Sequence, residues 1–476
     1  MKLVYQVKDK PPFGKTLVFA LQQLLAILAA TIAVPAIIGH GMSQSAALFG
    51  AGVGTIVYQL FTKFRSPVFL GSSFAFLGSM AAAFAGGVSM SVGYLGLIIG
   101  AAFAGLVYVV IALIVKKAGV NWLNKLMPAV VIGPTVAIIG LSLAGNAVKD
   151  MMKGGLQVNN APVCNTYVAL ICALVTLFTV VACSVYGKKM AKMIPFIIGI
   201  VAGYAVAAIF TGIGYAAKVD ALKVIDFTKF KNMQWYPDFA FIEAFKGNYT
   251  YGAGGSFGTY LLTIFVAYAP VAFVVFAEHV ADHKNLSSII EHDLLTDPGL
   301  DKTLLGDGVG SIVGAFFGGC PNTTYGESVG CVAISGNASV VTIFTTAIMA
   351  IVVSFFAPFV TFLATIPNCV MGGVCMTLYG FIAVSGLKMI QKVDLENNKN
   401  LFVVSVILIA GIGGFTLTFG KVTITSIACA LILGILTNVL CSIGGKKETE
   451  VEGVTAEDAT IAESMETSEN DENKAE

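Results

Sequence analysis

The chain has 476 residues, of which 57% are hydrophobic and 12% charged, with a mean hydropathy of +0.85 and a formal net charge of +1. A soluble domain carries about 25% charged residues, so this composition cannot build a water-facing surface, and lipid must be the solvent for most of the chain. The near-zero net charge leaves no footprint for nucleic acid or an acidic partner.

In chain order, the pattern predicts fourteen apolar segments of spanning length or slightly less: 16–39, 44–62, 67–85, 92–115, 126–147, 165–186, 193–214, 257–281, 303–318, 321–335, 338–357, 360–386, 399–417 and 422–443. The first follows a basic start (Lys2, Lys8, Lys10, Lys15); it is too long for the core of a signal peptide and long enough to span. With the N-terminus inside, alternate loops collect the basic residues: Lys63 and Arg65; Lys116, Lys117 and Lys125; Lys188, Lys189 and Lys192; Lys284 and Lys302; Lys388, Lys392 and Lys399; then Lys446 and Lys447. The opposite loops 86–93 and 357–362 hold no Lys or Arg. This asymmetry places both ends in the cytoplasm and makes the span number even. The tail from Glu448 to Glu476 is acidic and lacks apolar periodicity, which reads as a disordered cytoplasmic extension. The nine cysteines form no CxxC pair and read as small buried apolar residues, with no metal site expected.

The third and tenth segments are the least helix-like. Residues 67–74 and 321–328 both open on a proline (Pro67, Pro321) and continue with glycine and small hydroxyl residues, extended at the start and apolar or helical afterwards. Each is the third segment of a seven-span half, and an odd number of spans gives the halves opposite orientations. Two readings stand: paired interrupted segments framing a transport site, or two Gly-rich packing helices.

Ionisable residues inside spans are costly and are functional suspects by default. They are Glu278, His279, Asp282, Asp307 and Glu327. Glu278 and Asp282 are four apart and share a helix face; Asp282 reads either as a cavity residue or as an interfacial helix end. His279 and His283 share the same spacing, but the glutamate precedes them, so H-E-x-x-H is absent and a snorkelling or hydrogen-bonded pair is expected rather than a metal site. Glu327 follows a Pro/Gly-broken stretch whose amides, with the start of the next half-helix, can donate hydrogen bonds; it is either a ligand-binding or a structurally tied carboxylate. Amide donors beside carboxylate acceptors suit a planar ligand with carbonyl and ring N–H groups, and Phe74 and Tyr325 offer flat walls. Burial and a neighbouring carboxylate both favour the protonated form of an acid, which gives Glu278 and Asp282 a route to proton coupling; Asp307 either joins them or packs its helix. No nucleophile–base arrangement supports an enzyme, and no charged ring supports a channel. A carboxylate-lined site also argues against an anion transporter.

At these residues the chain resembles the nucleobase–cation symporter family, also called nucleobase–ascorbate transporters, nearest its uracil:proton symporter branch. The resemblance spans roughly residues 11–445 and is carried by Leu70 to Phe76, by Ala277, Glu278 and His279, by Asp293 to Leu300, by Pro321 to Glu327, and by Val370 to Gly373. It implies an all-α polytopic membrane protein with fourteen segments in two inverted seven-segment repeats, short strands in segments 3 and 10, and no cofactor. It further implies a core domain from 16–120 and 257–357, a gate domain from 121–217 and 358–445, a cytoplasmic start at 1–15, an external loop at 218–256 and a tail at 446–476. Carried over by position, Glu278 and Glu327 would hold the base, helped by the backbones of Phe74 and Gly326, with Ala30 and Tyr325 close to the ring. Glu278, Asp282 and Asp307 would handle protons in a homodimer of the inner cell membrane working by elevator-like motion. Glu327 falls where uracil transporters have Glu and purine transporters Gln, whereas Asp282 falls where purine transporters often have Asp, so xanthine or urate is the alternative. The chain departs from the family at Gln22-Gln23, where Gln-His is usual, and at Ser328 and Ser335, where Asn and Thr are usual.

Overall fold

A computed structural model describes residues 3–119, 128–158, 161–188, 191–192, 194–233, 235–252, 255–419 and 422–443. The expected acidic tail, Glu448 to Glu476, lies outside the described residues. The long apolar runs fold as helices: α1 (Phe13–Ile38), α2 (Gln44–Phe61), α3 (Leu77–Ala83), α4 (Met90–Ala118), α5 (Ala129–Met151), α6 (Thr166–Tyr186), α7 (Pro195–Ala216), α8 (Ala240–Ala244), α9 (Phe257–Ile290), α10 (Leu300–Gly318), α11 (Gly326–Ser335), α12 (Val340–Ser354), α13 (Ala357–Thr365), α14 (Asn368–Gln391), α15 (Asn398–Ile412) and α16 (Ser426–Ile443). Among the described residues, seven helices are long and apolar enough to cross a membrane, or eight if the bent pair α12 and α13 is one span. The chain is a multi-pass membrane protein.

Two boundaries differ from the sequence expectation. The eighth segment was expected to end at 281, but α9 runs 34 residues to Ile290, capped at its start by the reciprocal Ser256 and Thr259 bonds. Asp282 therefore sits inside a helix, not at its end. The expected segment 360–386 divides: α13 ends at Thr365, meeting α12 at 82°, and α14 starts after Pro367. Pro367 has no N–H to continue a helical ladder but suits the position before a first turn.

The third and tenth segments each open with a three-residue strand, β1 (Leu70–Ser72) and β4 (Asn322–Thr324). The two strands pair antiparallel, Leu70 opposite Thr324 and Ser72 opposite Asn322. Both are buried, so non-helical backbone inside the bundle is satisfied by its partner rather than exposed to lipid. Hairpins β2–β3 (Gln157–Val158, Ala161–Pro162) and β5–β6 (Leu417–Phe419, Val422–Ile424) complete the strands described.

The helices pack in two groups. In one, α10 lies against α2 and α4, α12 against α2 and α1, and α9 against α4 and α3. In the other, α14 packs on α5, α6 and α7, and α15 and α16 pack on α5 and on each other. Glycine sets the spacing in the first group: a Cβ on Gly50 would lie 2.6 Å from the Gly314 carbonyl oxygen, so α2 and α10 touch backbone to backbone. Between the groups, α1 meets α7 and α14, and α9 meets α16, β6 and α5.

The connection from α7 to α9 is anchored at both ends. Its first half is tied to the second group: Thr211 accepts from the amides of Val224 and Ile225, and Gly155 N–H donates to the Val224 carbonyl. Its second half is tied to the first group: α8 packs on α4 and α10, Phe239 stacks edge-on against Phe49 and Phe317, and Ser89 bonds to Asn248 and Thr250.

Candidate functional site

The site is built where α9 passes the paired strands. On one face of α9, Glu278 and Asp282 are half-buried. Asp282 Oδ2 accepts from the Thr324 hydroxyl at 2.7 Å, which fixes the carboxylate against β4. A Cβ on Gly326 would be 3.9 Å from Asp282 Oδ1, so the first residue of α11 lies open beside that carboxylate. Glu327 follows in the first turn of α11, where the partial positive charge of a helix start favours an anion. It is half-buried and within electrostatic reach of Glu278, as are Asp282 and Asp307. The two glutamates named from sequence are thus brought together, Glu278 from within α9 and Glu327 from the start of α11 behind β4.

The strands shape the walls. The buried Tyr325 donates its hydroxyl to the Ser72 carbonyl at 2.7 Å, and its ring lies over Gly71, where any Cβ would overlap it. Glycine is required there by space, not by backbone angle. Phe74 is half-buried and meets Tyr379 of α14 edge-on, centroids 6.0 Å apart. It also borders a cleft of about 200 Å³ between the helix groups, lined in addition by Leu77, Ile139, Ser142, Thr425 and Ile427. Ala30 is buried in α1, which packs on β1 and α3. Tyr379 was not legible in the residues: it is one aromatic in a Gly-rich apolar helix, and only its contact with Phe74 distinguishes it.

Two further residues follow from the departures noted above. Gln23, in place of the usual histidine, donates to the Ser328 hydroxyl at 2.5 Å. The amide of Phe69 also donates to that hydroxyl, at 3.3 Å. Together they join α1, the start of β1 and α11 just behind Glu327.

The opposite face of α9 is differently built. His279 Nδ1 lies 2.7 Å from Asp307 Oδ2 and its Nε2 3.0 Å from the Thr303 hydroxyl. His283 Nδ1 donates to the His279 carbonyl at 2.8 Å, and its Nε2 meets the Tyr58 hydroxyl at 2.7 Å. The rings stack 4.0 Å apart and both are fully buried. Each histidine nitrogen has a partner in the chain, so of the snorkelling and hydrogen-bonded readings the second is found. Asp307 is fully buried and its Oδ2 faces His279 rather than Glu278 or Asp282.

A family model described as the Permease family (Xan_ur_permease) matches residues 14–420. The chain belongs to the Permease family. It is 37% identical to the uracil permease of Bacillus caldolyticus, covering 92% of this chain and 95% of that protein. It is 36% identical to the uracil permease of Bacillus subtilis (91% and 94% covered) and 34% identical to that of Escherichia coli K12 (96% and 98%). These relatives are named transporters, not enzymes, in keeping with the family resemblance read from the sequence. The fold is shared with the transmembrane domain of the cyanobacterial bicarbonate transporter BicA (TM-score 0.58, 16% identity, 92% of this chain and all of that one) and with SLC26A9 (TM-score 0.62, 12% identity, 90% and 65%). At such identities the likeness to both structures concerns architecture alone.

Proposed function

We propose that this Permease family member imports a nucleobase, uracil first, by proton symport with alternating access. The observation that carries this reading is the meeting of Glu278 and Glu327 beside the β1–β4 pair, in a chain more than a third identical to proteins named uracil permease. Glu278 and Glu327 accept from ring N–H groups, the backbone at Gly326 and Phe74 donates to ring carbonyls, and Tyr325, Phe74 and Ala30 bound the ring. Glu278, Asp282 and Asp307 are the groups assigned to the proton. The protein works in the inner cell membrane, both ends cytoplasmic, as a homodimer.

The same reading takes the chain as fourteen segments in two inverted repeats. Helix contacts support it because they come in counterpart pairs: α2 on α12 with α10 on α4, α1 on α12 with α9 on α4, and α6 on α14 with α15 on α5. The first packing group is then the core domain (16–120 and 257–357) and the second the gate (121–217 and 358–445). Alternating access moves one against the other, with the Phe74–Tyr379 contact lying between them.

Uptake of radiolabelled uracil into vesicles, with and without an inward proton gradient, tests the reading. No uptake defeats uracil transport, and uptake indifferent to the gradient defeats coupling. A xanthine or urate substrate is the second reading, favoured by Asp282 standing at Gly326 rather than at a helix end. Competition among unlabelled bases separates the two.

A further inference from the structure

Hydrogen-bond accounting around His279 assigns a further role on the hidden face of α9. Thr303 Oγ1 lies 3.2 Å from the Leu300 carbonyl, to which it can donate, and 3.0 Å from His279 Nε2. A hydroxyl has one proton and can also accept. If that proton goes to Leu300, Thr303 accepts from Nε2–H, and one proton lies between Nδ1 and Asp307 Oδ2; the pair is then neutral. If Thr303 turns its proton to Nε2, Nδ1–H donates to the Asp307 carboxylate, and the pair carries one negative charge. The two arrangements differ by one proton and one hydroxyl rotation, with no heavy atom displaced. Every bond in both is between atoms already in hydrogen-bonding range.

We propose that Asp307 holds its proton in common with His279, with Thr303 as the positioning residue whose hydroxyl rotation lets the pair load and unload. This rests on the proton-coupled reading above and deepens it. The pair is fully buried, so its charge is poorly screened. The groups in its electrostatic reach are Glu278 and Asp282 on α9, Tyr58 on α2 and Tyr108 on α4, with His283 stacked on His279. A change of one charge on Asp307 is thereby felt at Glu278 and Asp282, and loading on one face of α9 is linked to the state of the other as coupled titrations require.

The experiment has two arms. In detergent, the protons bound per chain across an acid titration are counted with an indicator dye for the parent and Asp307→Asn. The variant is expected to bind one proton fewer, and an equal count overturns the proposal. In proteoliposomes, Thr303→Val is expected to lower gradient-driven uracil accumulation by about fivefold or more and to change its pH profile. Affinity in detergent should change less than about twofold, and Thr303→Ser should restore the profile. A folded Thr303→Val protein with the parental pH profile overturns the switch. If the valine variant does not fold, the proton count decides. A parent that accumulates uracil without a gradient defeats the symport reading instead, while the count still decides whether the pair holds a proton.

Discussion

The two interrupted segments occupy matching places and pair with each other, yet they are chemically unlike. The segment of β1 and α3 supplies Gly71, Ser72 and Phe74: space, a backbone acceptor and an apolar wall. The segment of β4 and α11 supplies Thr324, Tyr325, Gly326 and Glu327: a hydroxyl that fixes Asp282, a ring, an open backbone position and a charge. The first is shaped to be leaned on and the second to be bound. A site made from two copies of one architecture becomes directional when only one copy carries an ionisable side chain.

That contrast can be broken by experiment. Glu327→Gln should have the largest effect, weakening uracil binding roughly 10- to 100-fold, as expected for a hydrogen bond to a charged group worth about 1.5–3 kcal/mol. Calorimetric titration checks this, and unchanged affinity would remove the charge from the binding half. Gly71→Ala attacks the plain half: its Cβ overlaps the Tyr325 ring, so overpacking should cost about 1–3 kcal/mol, visible as a lower melting temperature in detergent. An unaffected melting curve would mean that the ring does not need the space. Tyr379→Leu removes an edge-on aromatic partner of Phe74, a contact worth about 0.5–1.5 kcal/mol, and should reduce uracil uptake by a few-fold.

The smallest effect lies at the loops flanking these segments. Arg65 and Asp297 form an exposed ion pair at 2.6 Å, and the guanidinium holds the Asp297 carboxyl below the usual aspartate range. Arg65→Ala should leave uracil affinity unchanged and slightly lower thermal stability at neutral pH. A depressed carboxylate stabilises the fold above its unfolded-state value and loses that contribution as pH falls through its folded value, so the parent–variant difference should vanish only below about pH 3.9. A difference that persists in stronger acid would point to packing by the arginine stem instead.

Much of this was legible in the residues. Spans follow from composition, and Pro67 and Pro321 with their small-residue runs marked the two broken segments. That β1 pairs with β4 was not legible, because three-residue strands some 250 positions apart carry no periodicity. The depth of Asp282 stayed open between cavity and helix end, since His283 and Lys284 make that stretch look like a polar helix end. In the fold His283 is buried on Tyr58 while Lys284 points outward. Pro367 was read through because hydrophobicity continues across it, although its backbone cannot continue a helix. The partner of His279 could not be named, since Asp307 is one of several acids on other helices and only packing selects it.

The strap between α7 and α9 sets a mechanical limit. Its two ends are moored to different helix groups, at Ile225 and at Phe239, with residues 226–238 between the moorings. Fully drawn out, those thirteen residues reach about 45 Å. Whatever excursion the groups make relative to each other on that side of the membrane, the distance between moorings is capped at that tether length.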